Sequence, residues 1–361
     1  MIDWTDPSLS DIEDVADRLC SVALQDPAQR PQAMACMAEM GLPGLCEPES
    51  SGGMGLGAEA LARVLARLAR HDAGHAALLF AHSAAQLVWR SAGGAVPDTV
   101  ATSGWCAWPG FHDLERHDWP RLQPHQRVSG TLSACLLSQA ASEVVTPVRL
   151  SDGRLACARL RTDQPGVERG EAPRFMGLRA ARIGAMTLRD VCAIVSDPLP
   201  ESTVWALNAQ LSLPIMAMQC GLMQGSLETA QRYAQERHQG GGPLLGWGEV
   251  RRLLAVQIER LSIAQAALSA GLRALAGPSD SLRQAIQLRA LLLQTGQLAT
   301  ALSTDGVQLL GGNGYMQDYG QEARMRDAWQ LQGLLGPAAQ RRQDLLSWQL
   351  RAPGPEWSVA A

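Results

Sequence analysis

The middle of the chain, residues 102–204, differs in character from the sequence on both sides of it. Proline, glycine and β-branched residues gather there and the apolar runs shorten, which is typical of strands joined by turns. Asp152-Gly153 separates the runs VVTPVRL and RLACARL and is the strongest hairpin signal in the chain, because both residues tolerate a positive φ. The sequence therefore predicts a small β-domain in the middle of the chain.

Helical periodicity dominates the sequence before this region. Four apolar residues recur at i, i+3, i+4 and i+7, namely Leu61, Val64, Leu65 and Leu68. The opposite side of the same stretch carries Arg63, Arg67 and Arg70, which predicts a surface helix. Residues 76–88 are apolar nearly all round, which predicts a helix inside a bundle.

Helical periodicity returns at about Leu207 and persists, with long stretches of Ala, Leu, Gln and Arg. Two breaks interrupt these stretches, at residues 240–243 and at residues 277–280. In the second break, Gly and Pro end one helix, and Ser279 or Asp280 can accept the free N–H groups that begin the next. The sequence therefore predicts a C-terminal helical bundle.

These regions predict an α+β fold with three parts and a tail. The predicted parts are an N-terminal α-domain at 1–100, a middle β-domain at 101–204, a C-terminal four-helix-type bundle at 205–350 and a tail at 351–361. The chain has 361 residues, of which 46% are hydrophobic and 18% are charged, so it can bury a substantial core.

Charge and composition exclude several classes of function. The net charge of −4 provides no polycationic face for a phosphate backbone, so nucleic acid is not an expected partner. No apolar run approaches the roughly 18 residues of a membrane span, and the acidic start lacks a signal-peptide pattern, so we expect a cytoplasmic protein. The eight cysteines lack zinc spacing, so we expect no metal site and small buried side chains: Cys20, Cys36, Cys46, Cys106, Cys135, Cys157, Cys192 and Cys220.

Four segments, in order along the chain, resemble motifs of the acyl-CoA dehydrogenase family. Residues 48–56, PESSGGMGL, resemble the family's P-E-x-x-G-G-x-G-L. Residues 177–191, GLRAARIGAMTLRDV, are similar to the strand that closes the family's β-domain. Residues 233–250, YAQERHQGGGPLLGWGEV, are similar to a helix carrying R-x-x-F-G followed by F-Q. The most specific segment is residues 304–328, TDGVQLLGGNGYMQDYGQEARMRDA.

The resemblance implies a helix–sheet–helix flavoprotein subunit that acts on an acyl-CoA-type thioester. In the family, FAD lies between the β-domain of one subunit and the C-terminal bundle of its neighbour. A glutamate removes the α-proton of the thioester while a hydride passes to the flavin. The resemblance therefore implies FAD as the cofactor. It also implies a partner subunit, either a homologous chain in a hetero-tetramer or a further copy of this chain.

By this resemblance, the half of the flavin site that reaches a neighbour's cofactor is present. Arg237 matches the arginine that pairs with the FAD diphosphate, a role that suits a planar, always charged side chain. Gln308, Gly311 and Gly312 match the segment whose backbone approaches the same diphosphate. One departure is Gly240, which replaces the family's phenylalanine.

The half of the site that holds a subunit's own flavin ring is eroded. The family's T-E-P stretch corresponds to residues 107–109, where Ala107 replaces the threonine that contacts the flavin. The family's N-G-x-K-x-W-I-T-N stretch corresponds to residues 129–137. There, Ala134 replaces the tryptophan that stacks on the ring and Leu136 replaces a threonine.

Leucine occupies the positions of the catalytic glutamate. Alignment from the R-D-A of residues 326–328 places Leu335 where the family has its glutamate. Some family members carry the base on an earlier helix, and the matching residue there is Leu211. Because leucine cannot accept a proton, the sequence offers no catalytic residue at either position.

Three functions remain open from the sequence. The first is the subunit lacking the catalytic glutamate in a hetero-oligomeric acyl-CoA dehydrogenase, which explains why one half of the flavin site persists without the other. The second is a stand-alone enzyme, either with a relocated base such as Glu322 or with non-redox chemistry on a thioester. The third is a flavin-free binding or scaffold protein.

Overall fold

Helices come first in the described part of the chain, a sheet follows, and a second set of helices completes it. The predicted fold class, α+β with helical regions on both sides of a β-region, is therefore confirmed. The division at residues 100, 204 and 350 stays a prediction. The structure is a computed structural model that describes residues 9–24, 28–94, 104–116, 118–171, 174–277 and 280–352.

The N-terminal region consists of helices that pack on the rest of the molecule. Its α-helices are α1 (Ser10–Leu19), α2 (Ala33–Glu39), α3 (Ala58–His71) and α4 (Ala73–Ser91). The α4 helix begins after Asp72, whose carboxylate accepts the N–H of His75 at 3.0 Å and so satisfies one free donor of the first turn. Most side chains of α4 are buried, because it packs against both a C-terminal helix and the sheet, which confirms the predicted bundle helix.

The prediction for α3 is wrong on its arginine side. The apolar face is buried as expected, but Arg63 is only 2% exposed. Helix α1 packs on this side, and Arg63 forms ion pairs with Glu13 of α1 at 3.5 Å and with Glu59 at 2.6 Å. The pattern of one helix cannot show that a second helix covers its polar side, so α3 is not a surface helix along its whole length.

The middle region forms one eight-stranded sheet. Its strands are β1 (Cys106–Ala107), β2 (Arg121–Gln123), β3 (Arg127–Cys135), β4 (Glu143–Arg149), β5 (Leu155–Arg161), β6 (Val167–Arg169), β7 (Gly184–Cys192) and β8 (Ile194–Val195). They lie in the order β6-β7-β3-β2-β4-β5-β8, and β1 pairs in parallel with β4. Strands β4 and β5 form the predicted antiparallel hairpin, in which Gly153 has a φ of +84° whereas Asp152 has no positive φ.

The C-terminal region consists of long helices. Its α-helices are α5 (Glu201–Glu236), α6 (Gly248–Ala276), α7 (Ser281–Leu309), α8 (Gln321–Leu331) and α9 (Ala338–Arg351). The break between α5 and α6 contains a small hairpin of β9 (His238–Gln239) and β10 (Gly242–Pro243). Of the two predicted caps of α7, Asp280 accepts the N–H of Arg283 at 3.1 Å, whereas Ser279 lies outside the described residues.

Glycines set the closest contact between the N-terminal and C-terminal helices. A Cβ at Gly221 of α5 would stand 1.9 Å from the carbonyl oxygen of Ala66 on α3. A Cβ at Gly225 would stand 2.1 Å from the carbonyl oxygen of Arg70. No side chain fits at these distances, so the two glycines allow the α3 and α5 backbones to meet directly.

Most of the cysteines follow the prediction of small buried side chains, and all eight are free thiols. Cys36 and Cys46 are only partly buried. Cys192 is exposed, because the alternation of β7 turns its last residue outward, so the prediction is wrong at this position. Within the described residues, no helix is long and apolar enough to cross a membrane.

Candidate functional site

The residues predicted to reach a neighbour's cofactor lie at the ends of α5 and α7. Arg237 directly follows α5 and Gln308 is in the last turn of α7, and both side chains are exposed. Gly311 and Gly312 begin a short 3-10 helix, Gly311–Tyr315, that follows α7. We call these four residues the Arg237 surface.

Tyr233, in the last turn of α5, joins the two helix ends. Its hydroxyl accepts a hydrogen bond from Nδ2 of Asn313 at 3.0 Å, and its ring meets that of Tyr319 edge-on at 5.6 Å. The N–H of Arg237 donates to the carbonyl oxygen of Tyr233 at 2.9 Å, so the arginine lies one turn further along. The sequence patterns did not reveal this role of Tyr233, because its partner lies 80 positions away.

The Arg237 surface fits a negatively charged group. Within the described residues, the guanidinium of Arg237 has no ion-pair or hydrogen-bond partner. A Cβ at Gly311 or Gly312 would meet nothing within 4 Å, so a ligand can approach the backbone there closely. Tyr315 and Met316, directly beyond, are 70% and 53% exposed.

The positions predicted to face a flavin ring within this chain are closed to solvent or nearly so. Three of them hold fully buried residues, namely Ala107, Leu136 and Leu335, and Ala134 is partly buried. Trp108 and Leu136 exchange main-chain hydrogen bonds of 3.2 and 2.9 Å, and the N–H of Leu335 donates to the carbonyl oxygen of Gly110 at 2.7 Å. The indole N–H of Trp108 is buried without a partner within the described residues. These residues do not fit an isoalloxazine ring, since their alanine and leucine side chains offer it neither a stacking partner nor a hydrogen-bonding group.

Neither position predicted for the family's glutamate carries a titratable group. Leu335 is buried and has a left-handed backbone with a φ of +60°, and Leu211 is buried on α5. Glu322, the alternative base, lies in the first turn of α8, where its carboxylate accepts Nε–H of Arg326 at 2.6 Å. In the described ranges, no group of three or more His, Cys, Asp or Glu side chains could hold a metal ion.

A buried ion pair between Asp113 and Arg289 links the segment that follows Trp108 to the C-terminal helices. Both Nη atoms of Arg289 on α7 donate to Oδ2 of Asp113, at 3.0 and 2.9 Å, and Nη2 also donates to Asn208 on α5 at 2.8 Å. The guanidinium lies 4.5 Å from the ring centre of Trp348 on α9. The carboxylate of Asp344 on α9 also lies 3.7 Å from Nη1 of Arg289. Loss of Arg289 would leave Asp113 buried without this partner, so the network holds the segment that follows Trp108 in place.

Asp327 is a second buried carboxylate that links α8 to the β-region. It accepts the N–H of Leu178 at 2.6 Å. Burial, together with the nearby charge of Asp72, raises the pKa of Asp327 to about 7. The residue belongs to the R-D-A motif, so its position was recognisable from the sequence, whereas its contact with the β-region was not.

Ser133 and His112 form a hydroxyl–imidazole contact beside Ala134. Their Oγ and Nε2 atoms lie 3.0 Å apart. Burial, with the nearby charge of Arg116, lowers the pKa of His112 to about 4, so the ring is neutral near pH 7 and its unprotonated nitrogen can accept the serine proton. The ring of Trp119 packs edge-on against His112 at 5.7 Å.

A cavity of roughly 800 Å³ lies between the N-terminal and C-terminal helices. We call it the helical cavity. Its walls come from α3, α4 and α5 and from the junction of α6 and α7. Its apolar lining includes Leu61, Phe80, Leu87, Leu207 and Leu211. The volume lies within the range of about 300–1,000 Å³ that is usual for small-molecule sites. Leu211, one of the two positions predicted for the family's base, thus lies in a wall of this cavity.

Solved structures with the same fold define the class of the protein. One, from work on the electron transferring flavoprotein of Acidaminococcus fermentans, is 19% identical with a TM-score of 0.82, covering 98% of this chain and 100% of that chain. Butyryl-CoA dehydrogenase from Megasphaera elsdenii is 19% identical with a TM-score of 0.81, covering 96% and 98%. A glutaryl-CoA dehydrogenase from Mycobacterium smegmatis in complex with FADH2 is 17% identical with a TM-score of 0.79, covering 95% and 94%. At such low identities these likenesses establish the fold alone, which is the acyl-CoA dehydrogenase fold.

Curated relatives match a shorter part of the chain. A probable acyl-CoA dehydrogenase, YngJ, of Bacillus subtilis is 28% identical over 203 residues, which are 53% of this chain and 52% of the relative. A cyclohexane-1-carbonyl-CoA dehydrogenase of Geobacter metallireducens is 27% identical over 171 residues, 46% of this chain and 44% of the relative. The chain thus spans about half the length of the curated relatives it matches.

Two family models match most of the chain between them. The model of the acyl-CoA dehydrogenase N-terminal domain matches residues 13–93, and that of the acyl-CoA dehydrogenase C-terminal domain matches residues 210–347. The chain therefore belongs to the acyl-CoA dehydrogenase family.

Proposed function

We propose that this chain is the subunit lacking the catalytic glutamate in a hetero-oligomeric acyl-CoA dehydrogenase. The proposal rests on the contrast within one chain between an open Arg237 surface and closed ring positions. The Arg237 surface would complete a flavin site on a neighbouring chain, whereas Leu335 and Leu211 leave this chain without a base. The paired chain is a homologous subunit that supplies the glutamate and the ring contacts for an acyl-CoA-type thioester.

In this assembly the Arg237 surface holds the diphosphate of the FAD that the paired chain carries. Arg237 presents a planar, permanently charged fork that suits phosphate oxygens. Gly311 and Gly312 let the backbone approach the same group, and the exposed amide of Gln308 provides a further donor. When bound, FAD supplies the hydride acceptor for α,β-dehydrogenation of the thioester. In this proposal, the Arg237 surface therefore contributes to binding of the paired chain's FAD and not to the chemical step.

A second candidate is non-redox cleavage of a thioester, which the Ser133–His112 contact favours. Oγ of Ser133 would attack the thioester carbonyl carbon while its proton passes to Nε2 of His112. The C–S bond would break, the sulfur would leave as a thiol with that proton, and water would hydrolyse the acyl-serine to a carboxylic acid. Because a pKa of about 4 makes His112 a weak base near pH 7, this candidate ranks second. Equal thioester hydrolysis by the wild type and by Ser133→Ala would exclude it.

Purification of the chain alone and beside a glutamate-bearing homologue tests the first proposal. We expect the chain alone to be colourless or strongly substoichiometric in FAD, because its ring positions are closed. We expect the co-expressed pair to form an α₂β₂ tetramer with about two flavins, which light scattering and flavin absorbance would measure. One flavin per subunit in the isolated chain, or the absence of a complex with the homologue, would contradict the proposal.

A further inference from the structure

Residues 176–182 precede β7 and lie against α8, and we call this segment the strap. Two hydrogen bonds join it to α8. Nη1 of Arg326 donates to the carbonyl oxygen of Met176 at 2.7 Å. The N–H of Leu178 donates to Oδ1 of Asp327 at 2.6 Å. The strap therefore links the β-region to the C-terminal helices through one arginine and one carboxylate.

Close packing holds the strap to α8 and to α4. A Cβ at Gly177 of the strap would stand 2.2 Å from the carbonyl oxygen of Arg326 on α8. A Cβ at Gly74 of α4 would stand 3.0 Å from the Cβ of Ala180 on the strap. These distances leave no room for water between the surfaces. The strap therefore has two states, one closed on both helices and one separated from them.

The backbone of the closed strap is strained. Leu178 and Arg182 both have a φ of +50°, in the left-handed region that is unfavourable for residues with a Cβ. Leu137, whose N–H donates to the carbonyl oxygen of Ala181 at 3.0 Å, has a φ of +62°. The contacts of the strap must offset this strain, and the hydrogen bond to Asp327 is made by one of the strained residues, Leu178. Separation of the strap would relieve the strain.

Asp327 is the titratable group of this contact, and charged groups face it from two helices. From the start of α4 comes the charge of Asp72, whose carboxylate lies 3.2 Å from Nη1 of Arg30 and 3.1 Å from Nδ1 of His75. The charged neighbours on its own helix, α8, are Glu322, Arg324 and Arg326. The strap contributes the N–H of Leu178. Burial and the like charge of Asp72 disfavour the ionised carboxylate, which raises the pKa of Asp327 to about 7.

We propose that the strap opens and closes with the protonation of Asp327: it lies closed on α8 while Asp327 is protonated and separates from α8 when Asp327 ionises. Separation lets the charged carboxylate reach water. It also lets Leu178 and Arg182 leave the left-handed region. This inference goes beyond the proposed function, which assigns no role to the strap or to Asp327.

Separation of the strap affects the region of the closed ring positions. Phe175, directly before the strap, stacks on Phe111 with the ring centres 6.0 Å apart. Phe111 follows Gly110, whose carbonyl oxygen accepts the N–H of Leu335. Movement of the strap would therefore withdraw Phe175 and uncover Phe111 beside the closed ring positions. The strap thus controls the access of solvent to this side of the molecule.

Hydrogen exchange of the full-length isolated chain, followed by mass spectrometry at pH 5, 6 and 7, tests the proposal. The closed strap binds the proton of Asp327 more tightly than the open strap, in which the carboxyl group has an ordinary pKa of 3.8. We therefore expect the opening constant of the strap amides, corrected for intrinsic exchange, to rise about tenfold for each pH unit over this range. Amides in the middle of α5 report global unfolding. An opening constant that is independent of pH, or equal in the strap and in α5, would overturn the proposal.

Variants identify the group that titrates. Asp327→Asn keeps an acceptor oxygen for the N–H of Leu178 but cannot ionise, so its opening constant should not change between pH 5 and 7. Exposed Asp318→Asn is the matched control and should behave as the wild type does. Asp72→Asn keeps a capping side chain and removes the neighbouring charge, so its opening constant should become level at a lower pH. A pH dependence that persists in folded Asp327→Asn would overturn the proposal. These measurements need neither flavin nor a paired chain, so they stand apart from the test of the proposed function.

Discussion

Our proposal assigns the Arg237 surface and the closed ring positions to two halves of one family site, and the chain holds the two regions differently. The Arg237 surface consists of exposed side chains and open backbone at two helix ends, joined through Tyr233. The ring positions consist of buried side chains, and the segment beside them is tied to α7 through Asp113 and Arg289. Burial makes the second region part of the core, whereas the first can change without loss of packing.

This difference explains why one half of the site can be lost without loss of the fold. Apolar side chains at the predicted ring positions fill the core and add packing, as Leu136 and Leu335 do here. The Arg237 surface brings little packing of its own, so packing does not account for its exposed guanidinium and open backbone. The comparison therefore favours a partner-held ligand over an ordinary solvated surface.

The largest expected effect is on the free energy of unfolding, through the ion pair beside the closed ring positions. Arg289→Met would leave Asp113 buried without its partner, which should lower the free energy of unfolding by about 3–5 kcal/mol in urea titrations. The double variant Arg289→Met/Asp113→Asn should recover much of this loss, because it removes the orphaned charge. Arg237→Met should change stability by less than about 0.5 kcal/mol. Equal losses for the variants at Arg289 and Arg237 would remove the contrast between the two regions.

The second-largest effect is expected on FAD binding at the Arg237 surface, and it can be measured only in the complex with the paired chain. Arg237→Ala should weaken FAD retention in the co-expressed pair by about 2–3 kcal/mol, or roughly 30- to 160-fold in the dissociation constant. Flavin fluorescence on reconstitution of the apo-complex measures this constant. Arg273→Ala, at an exposed helix end, is the control and should leave it unchanged. If Arg237→Ala also retains its flavin, Arg237 is an ordinary surface charge.

A pH dependence distinguishes buried from exposed carboxylates. Because Asp327 has a pKa of about 7 in the folded protein and an ordinary value of 3.8, the folded state binds more protons between these values. The free energy of unfolding therefore falls as the pH rises from about 4 to 7, by at most about 1.4 kcal/mol per pH unit. Asp327→Asn should remove this slope from unfolding measurements, and exposed Asp318→Asn should not. A slope that persists in Asp327→Asn would show that another group titrates.

The smallest expected effect is on catalysis. Leu335→Glu restores a carboxyl group but not a place for the flavin ring, so the isolated variant should show no dye reduction with any acyl-CoA. Leu335→Gln, which is equally polar but not a base, is the control. Dye reduction by the glutamate variant and not by the glutamine variant would show that the ring positions are open, and the comparison would fail.

Features that depend on neighbouring residues were predicted correctly from the sequence. The β4–β5 hairpin follows from a turn pair between two apolar runs, and the start of α7 follows from the capping side chain of Asp280. The buried state of α4 follows from its nearly uniform apolar composition. In each case the information lies within a few residues, so no knowledge of the tertiary structure is needed.

Features that depend on distant residues were not predictable in this way. Burial of Arg63 requires α1 to cover α3, and the exposed position of Cys192 depends on which side of β7 faces the solvent. The contact between Arg289 and Asp113 joins residues 176 positions apart. No local pattern specifies which segments will meet at such separations.

The sequence by itself determined the helix–sheet–helix order, the family motifs and the absence of a glutamate at the two expected positions, because these are properties of residue identity and spacing. The tertiary structure decided that the ring positions are closed and that the Arg237 surface is open, because burial depends on what packs against a residue. It also decided that the helical cavity lies between the N-terminal and C-terminal helices. A cavity is the space that several segments leave between them, and that space depends on how their side chains pack.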